Sequence, residues 1–233
     1  MVKGEKLYEG KAKVVYSTDD PGKLWMHFKD EATAFDGKKK GIIQNKGYLN
    51  AQISAKLFGV LSRSGIPTHF LHLEGPQDMI VKKVEIVPVE VVVRNVVAGS
   101  MAKRLGMEEG YKLPKPVLEF YYKSDPLGDP WVNEYHIEAF GWATADEIET
   151  IKHTALAVNQ VLAEHFRRVG IMLVDFKLEF GRADGQVIVA DEISPDTCRL
   201  WDARSGEKLD KDRFRRDMGG VEDAYEEVLR RLS

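Results

Sequence analysis

Between Leu173 and Phe180 the charged residues fall at every second position, with Asp175, Lys177 and Glu179 alternating with Phe176, Leu178 and Phe180. Successive side chains of an extended chain point to opposite faces, so the two acids and the lysine share one face. Two carboxylates flanking an ammonium suit a site that handles phosphate and a metal together. Carboxylate oxygens are hard ligands of the kind Mg²⁺ takes, one or two at a time, alongside phosphate oxygens. Residues 186–193 read as the partner strand of a hairpin around Arg182-Ala183-Asp184-Gly185, and they bring Asp191 and Glu192. An odd-numbered loop puts Asp191 on the Glu179 face, within cross-strand or diagonal reach. A two-residue Asp-Gly turn puts the two on opposite faces. The same alternation also serves as a solvated strand face whose charges pair with one another.

Two further segments could bind anions. Val91-Val92-Val93-Arg94 is followed by Gly99-Ser100 at the start of a short helical stretch. Free N–H groups at a helix start, a Ser100 hydroxyl and a nearby Arg94 guanidinium make a phosphate grip from local parts. A plain serine cap beside a surface arginine fits the same residues. In Glu9-Gly10-Lys11-Ala12-Lys13, glycine permits a tight turn and Lys11 and Lys13 share a strand face that could cover nucleotide phosphates. An exposed hairpin with solubilising lysines is the alternative. Arg199, Lys211, Arg213, Arg215 and Arg216 could extend a cationic wall or form a solvated helix face. Cys198 reads as a small filler, with no histidine close in sequence to activate it.

The elements that must position these residues divide softly near residue 87. Residues 1–87 read as strands with one helix, an antiparallel sheet: strands at 6–8, 11–16 and 24–28, a helix over 46–64 carrying Leu49, Ile53, Leu57 and Val60, and a strand pair 79–87 and 89–95 broken by Pro88. Residues 88–233 read as mixed α and β. They hold a short helix over 100–109 ending at Gly110, an irregular Pro- and Gly-rich surface stretch over 112–135, and a long amphipathic helix over 145–169. The hairpin and a last helix through Val221, Ala224, Tyr225, Val228 and Leu232 follow.

Composition removes whole classes of function. A net charge of −3 over 233 residues gives no global attraction to nucleic acid or to an anionic membrane surface. No apolar run reaches the roughly 18–20 residues that cross a bilayer, and the start MVKGEKLYEG lacks the apolar core of a signal peptide. With one cysteine there is no disulfide framework and no cysteine-built zinc site, so a cytoplasmic setting is the simplest reading. Phosphate-loop, dinucleotide, H-E-x-x-H and G-x-S-x-G signatures are all missing, as are the H-R-D and D-F-G signatures of protein kinases.

Taken in order, Leu7-Tyr8-Glu9-Gly10-Lys11-Ala12-Lys13, Phe35-Asp36-Gly37, Ile86-Val87-Pro88-Val89-Glu90-Val91-Val92-Val93-Arg94 with Ala98-Gly99-Ser100, Leu173 to Gly181, Asp191 to Asp196, Arg199-Leu200-Trp201-Asp202 and Asp210 to Arg215 resemble the signature stretches of the SAICAR synthetase family. The resemblance runs across nearly the whole chain. It implies a small antiparallel-sheet domain covering ATP (1–87) and a larger α/β domain holding substrate and metal (88–233), related to ATP-grasp enzymes and distantly to kinases. It implies ligation of L-aspartate to 4-carboxy-5-aminoimidazole ribonucleotide with consumption of ATP in de novo purine biosynthesis. A kinase-like small-molecule phosphotransferase is the rival.

Carried over by position, the resemblance implies that Lys11, Ala12 and Lys13 hold the ATP phosphates and that Lys82 to Val87 line the adenine, mostly through their backbone. Glu179 and Asp191 would bind Mg²⁺. Arg94, Ser100 and Arg199 would grip the 5′-phosphate, and Asp175 and Lys177 would lie near the imidazole carboxylate. Asp36 and Arg215 fall in the substrate pocket, Lys13, Asp175 and Lys177 are the catalytic candidates, and a homodimer is expected.

Overall fold

Gly10 and the turn sequence Asp19 to Gly22 separate three strand-forming runs. In the computed structural model, which describes residues 1–34 and 39–233, these become an antiparallel meander of β1 (Lys3–Glu9), β2 (Lys13–Thr18) and β3 (Lys23–Phe28). A small ribbon pairs β4 (Glu31–Ala34) with β5 (Lys39–Ile42). Helix α1 (Lys46–Arg63) buries Leu49, Ile53, Leu57 and Leu61, which recur every fourth residue along one face. Strands β6 (Phe70–Gly75) and β7 (Asp78–Lys82) complete the first sheet in the order β1-β2-β3-β7-β6.

The second sheet begins with β8 (Glu85–Val96), which crosses Pro88 without a break. The sequence predicts an interruption there. In the structure Glu90 pairs with Glu179 and Ile86 with Gly181, so three residues of β8 face one of its partner. Proline sits in that bulge, where its missing N–H removes no ladder bond. After α2 (Gly99–Leu105), which stops at the left-handed Gly106 rather than at Gly110, comes β9 (Lys112–Tyr122). The expected irregular stretch over 112–135 is therefore largely an eleven-residue strand paired with β8, followed by the two-residue β10 (Trp131–Val132). Pro114 and Pro116 fall in its irregular register between the Arg94–Val117 and Val96–Lys112 pairs, which hid the strand from a reading by composition.

Short α3 (Glu134–Ala139) leads to α4 (Ala145–Arg168), whose start is fixed by reciprocal Thr144 and Glu147 capping bonds. Next come β11 (Ile171–Ala183), β12 (Gln186–Ala190), β13 (Cys198–Asp202), α5 (Asp212–Arg215) and α6 (Val221–Arg231). Sheet order is β10-β9-β8-β11-β12, with β13 also on β11.

One face of this sheet is apolar. Val87, Val89, Val91 and Val93 of β8 and Phe176, Leu178 and Phe180 of β11 join Ile151, Ala155, Val158, Leu162 and Phe166 of α4 in one buried cluster. Each large side chain so buried contributes roughly 1.5–3 kcal/mol. Because that face is filled, the alternate residues of β8, β9 and β11 must all point the other way. Where a buried charge meets the core, it is fully partnered: Asp196 accepts from Lys46 Nζ at 3.0 Å and Tyr225 Oη at 2.7 Å, tying α1 and α6 to the loop after β12.

Candidate active site

The opposite face of the second sheet forms the floor of a cavity of about 1000 Å³, roofed by the first sheet. The register aligns its polar side chains across three strands. Arg94 faces Asp175, Glu90 faces Glu179, and Glu119 and Tyr121 of β9 flank Val92 and Glu90. Asp175, Lys177 and Glu179 do share one face, as alternation predicts, and that face lines the cavity rather than bulk solvent.

Glu90 and Glu179 are like charges directly opposite each other, an unfavourable pair by itself. Lys177 resolves it by donating to Glu90 at 2.6 Å and to Glu179 at 3.3 Å, and Lys123 donates to the other oxygen of Glu179. Burial works to lower the pKa of Lys177, but the charges of Glu179, Glu90 and Asp191 outweigh it and hold the ammonium well above its ordinary value. Burial raises Glu90, partly countered by Lys177.

At the other end of the floor, Asp175 is bracketed by two guanidiniums. Arg94 Nη1 donates to it at 2.8 Å, and Arg199 Nη1 reaches its two oxygens at 2.9 and 3.1 Å. Arg94 is 3% exposed and is also held by Glu119 at 2.7 Å and by the Ser100 hydroxyl at 3.0 Å. Ser100 thus accepts from Arg94 instead of capping α2, whose cap position is Ala98. Arg199 also donates to Asp212 at 3.0 Å and lies against Gly99, where φ is +54° and a β-carbon would collide with the guanidinium. A buried and a half-buried guanidinium, a helix start and a hydroxyl therefore converge as the sequence suggests.

Near the mouth, Lys13 Nζ donates to Asp191 at 2.6 Å and to Glu192 at 2.8 Å, and Lys11 pairs with Asp125 at 2.9 Å. Burial would depress Lys13; the charges of Asp191 and Glu192 raise it instead. Burial likewise opposes ionisation of Asp191, and Lys13 and Lys177 overcome it to keep the carboxyl far below its usual range. Lys82, Val84 and Ile86 face the cavity with Leu7, Val15, Leu24, Met26 and Val81, whereas the Val87 side chain is buried in the core on the other side. Arg215 lines the cavity and pairs with Asp212 at 2.7 Å. Asp36 lies outside the described residues.

The hairpin resolves the question of register. Ala183 pairs with Gln186, leaving the two-residue turn Asp184-Gly185, with φ of 51° and 75°. Such a turn sets Ala190, not Asp191, across from Glu179. The odd loop needed for a simple cross-strand meeting is absent. Asp191 reaches the cavity because the chain leaves the ladder there in a left-handed conformation, φ 64°, and Lys177 feels the negative charge of both Glu179 and Asp191.

Among the described residues no three His, Cys, Asp or Glu side chains gather as a metal-ligand group. Two hard carboxylates lining one cavity, Glu179 and Asp191, nonetheless suit an ion that takes its remaining ligands from phosphates and water.

Several site residues escaped the sequence reading. Glu90 could have been found, since Glu90, Val92 and Arg94 share a strand face. Lys123, Glu119, Tyr121 and His69 carried no local signal, because their role depends on strand β9 and on the crossing between sheets. Among the described residues no helix is long and apolar enough to cross a membrane.

The model of the family described as SAICAR synthetase matches residues 6–232. The chain is 59% identical to the phosphoribosylaminoimidazole-succinocarboxamide synthase of Coprothermobacter proteolyticus, across 100% of this chain and 99% of that protein. It is similar to the crystal structure of the corresponding synthase from Ehrlichia chaffeensis, with a TM-score of 0.96, 49% identity and 98% of each chain covered. A SAICAR synthetase solved in complex with ADP matches with a TM-score of 0.94 and 52% identity over 97% of each chain.

Proposed function

The chain belongs to the SAICAR synthetase family, and from that premise we propose how one cavity carries the whole ligation. The reaction joins L-aspartate to the carboxylate of 4-carboxy-5-aminoimidazole ribonucleotide at the expense of ATP. The observation that carries the assignment of roles is the continuous cavity, lined at one end by Lys11, Lys13 and apolar strand residues and at the other by Arg94, Asp175 and Arg199.

ATP binds under the first sheet, within residues 1–87. Its base lies on the apolar side chains of β1, β2, β3 and β7 and along the backbone of the 82–87 segment, and its phosphates lie against Lys11, Ala12 and Lys13. The ribonucleotide occupies the 88–233 part, its 5′-phosphate gripped by Arg94, Ser100 and Arg199. Its imidazole carboxylate lies by Asp175 and Lys177. Asp36 and Arg215 border the substrate pocket. Glu179 and Asp191 would hold Mg²⁺, which supplies charge neutralisation at the phosphates.

A carboxylate does not accept an amine at neutral pH because oxide is a poor leaving group. An oxygen of the ribonucleotide carboxylate therefore attacks the γ-phosphorus and ADP leaves, giving an acyl phosphate. The aspartate amine then forms the C–N bond, the C–O bond to phosphate breaks, and the amine loses its proton. Lys13 and Lys177, kept charged by their carboxylate neighbours, offset the charge that accumulates on the transferring phosphoryl group. Holding the reactants together removes much of the entropic barrier, up to about 7–11 kcal/mol in well-oriented cases.

The family likeness also supports a homodimer, and the single buried Cys198 is compatible with a reducing cytoplasm. A coupled ADP-release assay, omitting each substrate in turn, tests the assignment. Release must need both the ribonucleotide and L-aspartate for steady turnover, and steady release without aspartate would point to a phosphotransferase instead.

A further inference from the structure

Asp191 holds its place through an unusual conformation. It is a non-glycine residue at φ 64°, one position past Ala190, where the ladder with β11 ends. Left-handed backbone costs most L-residues roughly 1–2 kcal/mol, less for Asp, so something must select it. The carbonyl of Asp191 is 3.0 Å from His69 Nε2. A carbonyl oxygen can only accept, so Nε2 carries the hydrogen and donates it.

His69 is itself fixed on every side. It is 3% exposed, its N–H donates to Val189 at 2.9 Å, and its carbonyl accepts from Lys82 at 2.7 Å. Its ring meets Phe58 edge-on, with centroids 5.5 Å apart. The neighbouring Thr68 forms a parallel bridge with Val189, so this segment adds to the edge of the second sheet just before entering β6 of the first. Lys13 grips the carboxylate of Asp191, a bond that a cation or phosphate would compete for. His69 grips the backbone and leaves both carboxylate oxygens available.

We propose that His69 is a positioning residue for the ligation: by clamping the Asp191 carbonyl it holds that carboxylate aimed into the cavity whether or not nucleotide is bound. This rests on the reading of Asp191 as a metal-holding carboxylate. Outer partners that orient a ligating group are generally needed for affinity, not only for folding.

The test uses the full chain loaded with ADP, with Mn²⁺ as the probe, its binding followed by electron paramagnetic resonance. His69→Phe keeps the ring volume and removes the donor; His69→Gln keeps a donor at similar reach. His69→Phe weakens Mn²⁺ binding on the order of 10- to 100-fold, while metal-free ADP binding changes little and the thermal midpoint falls by only about 2–6 °C, as for one lost hydrogen bond in a chain of this size. His69→Gln stays within about threefold, as expected if one hydrogen bond is what matters. Asp191→Asn serves as the reference. If it binds Mn²⁺ like the wild type, the reading of Asp191 fails and the clamp fails with it. If Asp191→Asn is weak while folded His69→Phe binds normally, or if His69→Gln is as weak as His69→Phe, the clamp alone is overturned. Should His69→Phe not fold, ¹⁵N resonances of His69 in the wild type decide. Hydrogen on Nε2 with and without Mg²⁺ and ADP supports the clamp; hydrogen on Nδ1 alone rules it out.

Discussion

Asp175→Asn isolates the buried charge pairing at the substrate end of the cavity. The carboxylate is 5% exposed and takes three contacts from two guanidiniums, Arg94 at 2.8 Å and Arg199 at 2.9 and 3.1 Å. Asparagine keeps one acceptor and turns the other oxygen into a donor facing a guanidinium. At least one charge-assisted hydrogen bond is lost, worth about 1.5–3 kcal/mol. Removing one partner of a buried ion pair typically costs about 3–5 kcal/mol, but Glu119 and Asp212 still hold the arginines, which puts the expectation near the lower end. About 3 kcal/mol in a chain of this size lowers the thermal midpoint by roughly 6–12 °C. Differential scanning calorimetry reads this directly. Inorganic phosphate should then raise the midpoint of the variant more than that of the wild type, because an added anion restores the acceptor that both arginines lost. A midpoint within about 2 °C of the wild type, or equal stabilisation of both proteins by phosphate, would refute the reasoning.

Other outcomes follow from the same geometry. Glu179→Ala should lower turnover at least about 100-fold, as for loss of one electrostatic stabiliser, and near-normal kcat at saturating Mg²⁺ would remove Glu179 from the metal. Arg199→Gln should raise KM for the ribonucleotide far more than KM for ATP, measured by varying each in steady state; the reverse would mean the two ends of the cavity are exchanged. Asp210 is buried, with its oxygens accepting from the Leu200 and Asp212 N–H groups, and burial together with the Asp212 charge pushes its pKa up to about 7 from 3.8. The folded state therefore binds this proton more tightly than the unfolded chain. The stability it contributes is full below about pH 4 and is lost as pH rises toward 7. Thermal midpoints between pH 5 and 8 should fall less steeply in Asp210→Asn than in the wild type, and parallel profiles would exclude Asp210 as the titrating group.

Local periodicity was enough to define much of this protein. The alternation around Lys177, the helical spacing of Leu49, Ile53 and Leu57 along α1, which continues through Leu61 rather than the half-buried Val60, and the amphipathic pattern of α4 depend only on neighbours in the chain, and these patterns stand in the structure. The ordered signature stretches carried the family, and with it the chemistry. Strand β9 was illegible because Pro114 and Pro116 read as loop until a bulge against β8 accommodates them. Its absence from the sequence reading hid Glu119, Tyr121 and Lys123 as well.

Asp191 marks the boundary most sharply. Its residue type made it a candidate ligand, but a two-residue turn gives it the wrong parity to meet Glu179 across the sheet. What brings it into the cavity is a left-handed exit from the ladder, a carbonyl bond to His69 and a carboxylate bond to Lys13. Those partners lie 122 and 178 residues away in the chain. Period-two geometry fixes which side of a strand a residue occupies; where the strand ends, only contacts between the two sheets decide.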